Sequence, residues 1–351
     1  MPLEILALIL VAAALVIAGV SLYSVRKLKT RLVVIEEAPV VARSLEAAKK
    51  VALIVNPSKA GAEAAMAAVR AACVEAGFGD PLIYETTVED PGHSMAVEAL
   101  EQKCDIVVVA GGDGTLREAA EVLADTDAIM GVLPLGTGNL LARNLDFNVD
   151  DIEAAVHTAL HGRIRSIDAA KIVLERADGT TEDHVFLVMA GIGFDADMMN
   201  DTNEDLKARL GPLAYAEAGM RHLPGRRRTV TLSLDDGPEQ QRKIRSVIFA
   251  NCGRLQGGFD LVPDAVLDDG KLDIVVMSPQ SVAGWAWIAA KTALRHRGAI
   301  PVIDYYQARK VRMSVPEPIS SQLDGDTTGD VVAMTVQILP QALRLRVPAR
   351  L

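Results

Sequence analysis

Residues Val107–Thr115 read VVVAGGDGT, an apolar β-branched strand running straight into two glycines, an aspartate, a third glycine and a threonine. A buried strand that ends in such a turn offers bare main-chain N–H groups beside one carboxylate. Glycine puts no Cβ between backbone and an incoming oxygen anion, so the turn suits a polyphosphate. Asp113 would repel phosphate unless it holds Mg2+ or a hydroxyl, and its presence therefore points to catalysis rather than passive anion binding. The plainer alternative is a Gly-Asp-Gly turn joining a strand to a helix.

The surroundings repeat the pattern. Val51–Val55 is an apolar strand followed by Asn56-Pro57-Ser58-Lys59-Ala60-Gly61, and helical periodicity runs from Ala62 to Ala76. Pro81–Glu85 reads as a strand, Gly92–Lys103 and Leu116–Leu123 as helices, and Ile129–Leu133 as a fourth strand. Strands alternating with helices predict a parallel sheet covered on both faces. Ligands of such sheets bind at the carboxyl ends of the strands. The Asn56–Gly61 loop lies at one such end, where its amides and the following helix N-terminus suit phosphate. Pro134-Leu135-Gly136-Thr137-Gly138-Asn139 lies at another, with Thr137 and Asn139 as neutral donors for phosphate or ribose. Neither loop is GxxxxGK[ST], and Gly136 and Gly138 do not complete GxGxxG.

Beyond Ile164 the pattern becomes β-rich. Strand-like runs fall at 166–174, 184–189, 229–234, 244–250, 272–277, 310–315 and 331–339, many separated by turn signals, which predicts an antiparallel sandwich or open barrel. Helices are expected at 281–297 and 205–220.

From Ile5 to Val25 the chain carries no charge, whereas Arg26, Lys27, Lys29 and Arg31 follow. That length crosses a bilayer core, and positive charge on the C-terminal flank favours a retained anchor with the bulk of the chain cytoplasmic, against an anionic inner leaflet. Cys73, Cys104 and Cys252 form no CxxC, which argues for a reducing compartment and against zinc or a disulfide framework. A formal net charge of −10 disfavours nucleic acid. His157 and His161 lie four apart on a helix without an HExxH glutamate and read as an ordinary polar face. Trp285 and Trp287 read as core, with an interfacial lipid contact as the alternative. No GxSxG supports a hydrolase.

Taken together, NPSKAG (56–61), GGDGT (111–115), PLGTGNLLARNL (134–145), GIGFDA (191–196), PDAVLDDGKLD (263–273) and LDGD (323–326) give residues 50–349 a resemblance to the diacylglycerol kinase catalytic-domain superfamily, which includes bacterial lipid kinases and sphingosine kinases. The resemblance implies ATP as phosphoryl donor and Mg2+. It puts ATP phosphates over Asn56, Pro57, Ser58, Lys59 and Gly61 and over Gly111, Gly112, Asp113, Gly114, Thr115, Leu116 and Arg117. Gly136, Thr137, Gly138 and Asn139 form the third loop, and either Thr86 or Thr87 contacts nucleotide. It also implies a structural Mg2+ held by the carbonyls of Val266 and Lys271 and the side chain of Asp269, with Asp168 linked through water.

The family's C-terminal Asp-Gly-Glu carries the general base. Here it reads Asp324-Gly325-Asp326, so Asp326 is favoured, Asp324 is the close alternative, and Asp113 completes the catalytic carboxylates. Leu140 departs from an aspartate common in the family. The expected organisation is a transmembrane anchor at 1–25, a linker at 26–49, a nucleotide-binding α/β kinase domain at 50–164 and a β-rich substrate domain at 165–351, the extreme C-terminus having the option of returning to the first domain. The expected activity is phosphorylation of a membrane lipid, diacylglycerol first, at the cell membrane; a homodimer is left open. The alternatives are an NAD or sphingoid-base kinase, or a catalytically impaired nucleotide-binding regulator.

Overall fold

The computed structural model describes residues 49–193, 227–254, 262–281, 284, 287–288 and 301–349. The uncharged run at 5–25, the helix expected at 205–220, Trp285 and most of the helix expected at 281–297 lie outside the described residues. Among the described residues no helix is long and apolar enough to cross a membrane.

The first lobe is built from β1 (Val51–Val55), α1 (Ala62–Glu75), β2 (Leu82–Glu85), α2 (His93–Glu101), β3 (Ile106–Gly111), α3 (Asp113–Leu123), β4 (Ile129–Pro134), α4 (Leu140–Asn144) and α5 (Ile152–His161). Its strands run parallel in the order β4-β3-β1-β2. Every residue of β1, β3 and β4 is buried, which is why they read as unbroken apolar runs instead of alternating ones. Val51, Leu53, Val55, Val108 and Leu133 pack under α1 and α5. Their neighbours Ala52, Ile54, Val107, Val109 and Val132 pack under α2 and α3. The period of two thus feeds two separate helical layers. Asp151 starts α5 by accepting from the Ala154 N–H at 2.9 Å.

The second lobe is β-rich: β5 (Arg163–Glu175), β6 (Thr181–Phe186), β7 (Met189–Gly193), β8 (Arg228–Leu234), β9 (Gln240–Ile244), β10 (Ser246–Ala250), β11 (Leu272–Met277), β12 (Ile303–Ala308), β13 (Lys310–Leu323) and β14 (Asp326–Val347). Alternate residues such as Ile172, Phe186, Ile192, Phe249, Ile274, Met313 and Val336 fill its core. β14 joins the lobes. It runs antiparallel to β13 and β5, and Leu345 near its end pairs in parallel with Met130 of β4.

Several strand boundaries differ from the sequence expectation for identifiable reasons. The run expected at 184–189 is two strands, because Leu187 and Val188 leave the ladder to donate to a distant carboxylate. β12, IDYYQA, was not expected; its polar residues sit on an edge strand. β13 and β14 are far longer than 310–315 and 331–339. Pro316 and Pro318, which look like stops, fall where the β13–β14 register is interrupted between Ser314 and Ile319, a position where proline's missing donor is tolerated.

Asp168, fully buried, accepts from the Gly270 and Gln341 N–H groups, both at 2.7 Å. It thereby ties β5 to the 267–270 turn and to the break in β14 between Leu339 and Leu343. On the first lobe, Gly131 of β4 lets α5 lie directly on the sheet, since a methyl there would sit 2.8 Å from Ala159 Cβ. Gly131→Ala is expected to push α5 off the sheet and cost about 1–3 kcal/mol of stability, read as a lower midpoint in urea denaturation with an unchanged slope.

Candidate active site at the carboxyl ends of the parallel strands

Four strand ends converge. After β1, the Asn56 N–H donates to Ala110 O at 2.9 Å, while Asn56 Oδ1 accepts from Ser58 N (3.0 Å) and Ser58 Oγ (2.6 Å), closing the loop on itself. Gly61, with φ 87°, turns the chain into α1. After β2, Thr86 is buried, and its Oγ1 has no partner among the described residues. Thr87 is exposed and its hydroxyl accepts from Asp90 N. The one-residue ambiguity between them is thus physical: one hydroxyl is spent locally, the other is withdrawn from water and unsatisfied. Buried hydroxyls rarely stay so without a ligand or water.

The third and fourth loops touch backbone to backbone. Leu135 N donates to Gly111 O at 2.9 Å, and a methyl on Gly136 would sit 2.7 Å from Gly112 Cα. Lys59 arches toward the same point, its Cε 4.0 Å from where a Gly112 side chain would begin. Asn139 holds the fourth loop in shape. It is buried in a left-handed conformation, and its amide closes the loop, accepting from Gly136 N (2.9 Å) and donating to Gly136 O (2.6 Å). Thr137 is left exposed at the tip.

Asp113 opens α3, and its Oδ1 accepts from Leu140 N (2.7 Å) and Leu141 N (3.4 Å). Leu140, where the resemblance anticipates an aspartate, thus meets Asp113 through its backbone, while its side chain is buried. Loss of water around Asp113, with the Asp324 charge next, pushes its pKa up to about 7.

Asp324 and Asp326 are separated by their surroundings. Asp324, buried at φ 48°, accepts from Leu187, Val188 and Met189 N–H groups, each at 2.9 Å. Burial raises its pKa against the pull of those three donors. Asp324 is therefore tied up in anchoring the 187–189 backbone, and Asp326 is the one of the two left exposed. The Asp326 side chain is 56% exposed, receives Arg117 Nη2 at 3.4 Å, and its Oδ2 lies 2.8 Å from where a Gly114 side chain would begin. Sequence reading counted Arg117 among nucleotide contacts and missed this pairing. A cation in the first turns of a helix, against the macrodipole, was the available signal.

The turn holding Val266, Asp269 and Lys271 lies apart from these loops in sequence and is fastened to Asp168 through Gly270. Asp269 Oδ1 accepts from Lys271 N at 3.0 Å, while its other oxygen has no partner among the described residues. One carboxylate oxygen with main-chain carbonyls is an oxygen-only donor set compatible with Mg2+ completed by water. Among the described residues no group of three or more His, Cys, Asp or Glu side chains is placed to hold a metal. The His157 and His161 rings lie tilted at 51° to each other with centroids 5.3 Å apart on α5. Trp287 is exposed, against the core reading; of GIGFDA, residues 194–196 lie outside the described residues.

A fold of parallel strands with glycine loops at their carboxyl ends, carboxylates between them and a β-rich second lobe defines a phosphotransferase scaffold. Residues 50–172 match the diacylglycerol kinase catalytic domain, and residues 188–347 match the YegS C-terminal NAD kinase beta sandwich-like domain. The chain is similar to a diacylglycerol kinase of Bacillus subtilis, 31% identical over 257 residues, covering 73% of this chain and 82% of that one. It is equally similar to a "Probable lipid kinase YegS-like" of Pseudomonas aeruginosa, 31% identical over 306 residues, 86% and 95% of the two chains. A diacylglycerol kinase structure from Bacillus anthracis superimposes with a TM-score of 0.67 at 23% identity, covering 85% and 97%; at that identity it speaks for the fold. The chain belongs to the diacylglycerol kinase catalytic-domain superfamily, and it is an ATP-dependent kinase of the lipid-kinase type.

Two outcomes follow from this geometry. Gly114→Ala gains up to about 0.5–1 kcal/mol of helix stability yet displaces the Asp326 carboxylate; turnover is expected to fall about 10- to 100-fold with the melting temperature unchanged or raised. Asp113 has a folded pKa of about 7 against an ordinary 3.8, so the folded chain binds the extra proton. Its contribution is fully present below pH about 4 and lost as pH rises through about 7. Asp113→Asn is expected to flatten that decline in metal-free urea titrations across this range.

Proposed function

We propose that the chain transfers the γ-phosphoryl group of ATP to a membrane lipid hydroxyl, diacylglycerol first, giving phosphatidic acid. The observation that carries this reading is the convergence of two glycine loops in backbone contact with Asp113, Arg117 and Asp326, all facing one seam between the lobes. The unsatisfied Thr86 hydroxyl fits a nucleotide there, and the Gly112–Gly136 backbone contact, which leaves no room for a Cβ on Gly136, holds the two loops together beside it. The amides of Gly111–Thr115 and of the Asn56–Gly61 loop would hold phosphate oxygens, with Lys59 adding positive charge. Bound Mg2+ neutralises phosphate charge; Asp113 would face it at the seam, and the Val266–Lys271 turn would hold a second, structural ion.

Asp326 is assigned the proton of the acceptor hydroxyl. A primary alcohol ionises far above neutral pH, so the carboxylate takes that proton as transfer proceeds and forms no alkoxide beforehand. Its exposure allows a lipid hydroxyl to reach it, which buried Asp324 does not. The uncharged run Ile5–Val25 and the basic residues after it support an anchor that keeps the site beside its lipid.

Labelled ATP incubated with the full chain and total membrane lipid is expected to label phosphatidic acid. Asp113→Asn and Asp326→Asn should each remove that label while circular dichroism stays close to wild type and neither variant melts early. Labelling of NAD or of a sphingoid base instead identifies a different acceptor. Bound ATP with no labelled lipid identifies a nucleotide-binding regulator.

A further inference from the structure

Arg117 is the one arginine of α3, its side chain only 10% exposed. Its Nη1 pairs with Glu118 Oε1 at 3.1 Å and its Nη2 with Asp326 Oδ2 at 3.4 Å, while its Nε is buried and without a partner among the described residues. Glu118 fixes the guanidinium from its own helix, and Asp326 arrives from 209 residues further along the chain. A planar fork held at one prong presents the other in a defined direction, which a lysine ammonium on a rotating stem does not. Asp326 has no other side-chain partner among the described residues, and a glycine at 114 keeps the space beside its carboxylate open. An exposed carboxylate with one partner takes its orientation from that partner.

Resting on the lipid-kinase reading above, we propose that Arg117 is a positioning residue: it aims the Asp326 carboxylate across the seam between the lobes, and does not serve chiefly as a nucleotide ligand. The two roles predict different kinetics. A phosphate ligand lost from the ground state raises the KM for ATP. A lost orienting contact lowers kcat and leaves that KM nearly alone.

The test measures initial rates of the full-length chain with ATP and diacylglycerol micelles, for wild type, Arg117→Met, Arg117→Lys, Asp326→Asn and the Arg117→Met/Asp326→Asn double variant, each with a thermal melt. Arg117→Met is expected to lower kcat about 10- to 100-fold with the KM for ATP within about threefold. Arg117→Lys should recover part of that loss. The double variant should be no slower than Asp326→Asn alone, because the arginine then has nothing left to aim. A raised KM for ATP with kcat intact overturns the proposal, as does multiplication of the two single losses in the double variant. If Arg117→Met melts early, Arg117→Lys decides alone: loss confined to kcat supports the proposal, and loss confined to the KM for ATP overturns it. A wild-type chain inactive on every lipid tested defeats the lipid-kinase reading, a result distinct from any of these.

Discussion

The geometry of the seam depends on one carboxylate receiving three consecutive main-chain N–H groups. Asp324 takes those of Leu187, Val188 and Met189 where β6 gives way to β7, and the Asp324 N–H in turn donates to Met189 O at 2.8 Å. The tip of the β13–β14 hairpin is thereby fixed to the neighbouring strands. Asp326, two residues on, has little choice about which side of the tip it leaves from. It emerges over the first turn of α3, against Gly114 and Arg117. Without that carboxylate the tip keeps the Asp324 N–H bond to Met189 O, the Gly325 N–H bond to Gln322 Oε1 at 2.8 Å and the β13–β7 pairing up to Leu323, but loses the three donors that fix it to the β6–β7 junction.

That anchor has an electrostatic consequence. A buried carboxylate beside the glycine turn raises the cost of a second negative charge on Asp113, whose own surroundings are already poor in water. The Leu140 and Leu141 amides offset part of this by donating to Asp113. Arg117 lies in the same neighbourhood and lowers the Asp324 pKa. The site therefore concentrates negative charge around few compensating cations. That is poor design for stability and good design for recruiting a divalent ion or the proton of an alcohol. An apolar residue at 140 fits the same logic, since another carboxylate there would add repulsion at the most crowded point.

The parallel half of the fold was legible because its determinants are local. Unbroken β-branched runs, helical periodicity and glycine turns all lie within a few residues of what they specify, and the order of strands and helices from Val51 to Leu133 follows from them. The β-rich half was less legible. Pro316, Pro318 and the glycines near 325–329 punctuate strands that continue through bulges, and β12 is an edge strand with only Ile303 and Ala308 buried, so it carries little apolar pattern. At the site, choices between adjacent residues were closed to sequence reading. Thr86 and Thr87 have the same chemistry, as do Asp324 and Asp326. What separates them is burial and hydrogen bonding to Val55, Asp90, Leu187 and Arg117, partners that neighbouring residues do not announce.

The same division of local and distant contacts shapes how the site comes together. The Asn56–Gly61, Gly111–Thr115 and Pro134–Asn139 loops each close within a βα unit, and the loop-to-loop contact at Gly112 and Gly136 spans only the α3–β4 segment. Asp326 must wait for more than two hundred further residues to fold, because β14 is placed only when β13 and β5 are there to pair with it. Contacts of such separation carry the largest loop-closure entropy and form late. The glycine loops of the first lobe can thus form before Asp326 is in place. The strand that delivers Asp326 also ends beside β4 through Leu345 and Met130, so completing the β-rich lobe and closing the edge of the parallel sheet are one event. Coupling them in a single strand means Asp326 meets α3 only on a first lobe whose sheet is finished.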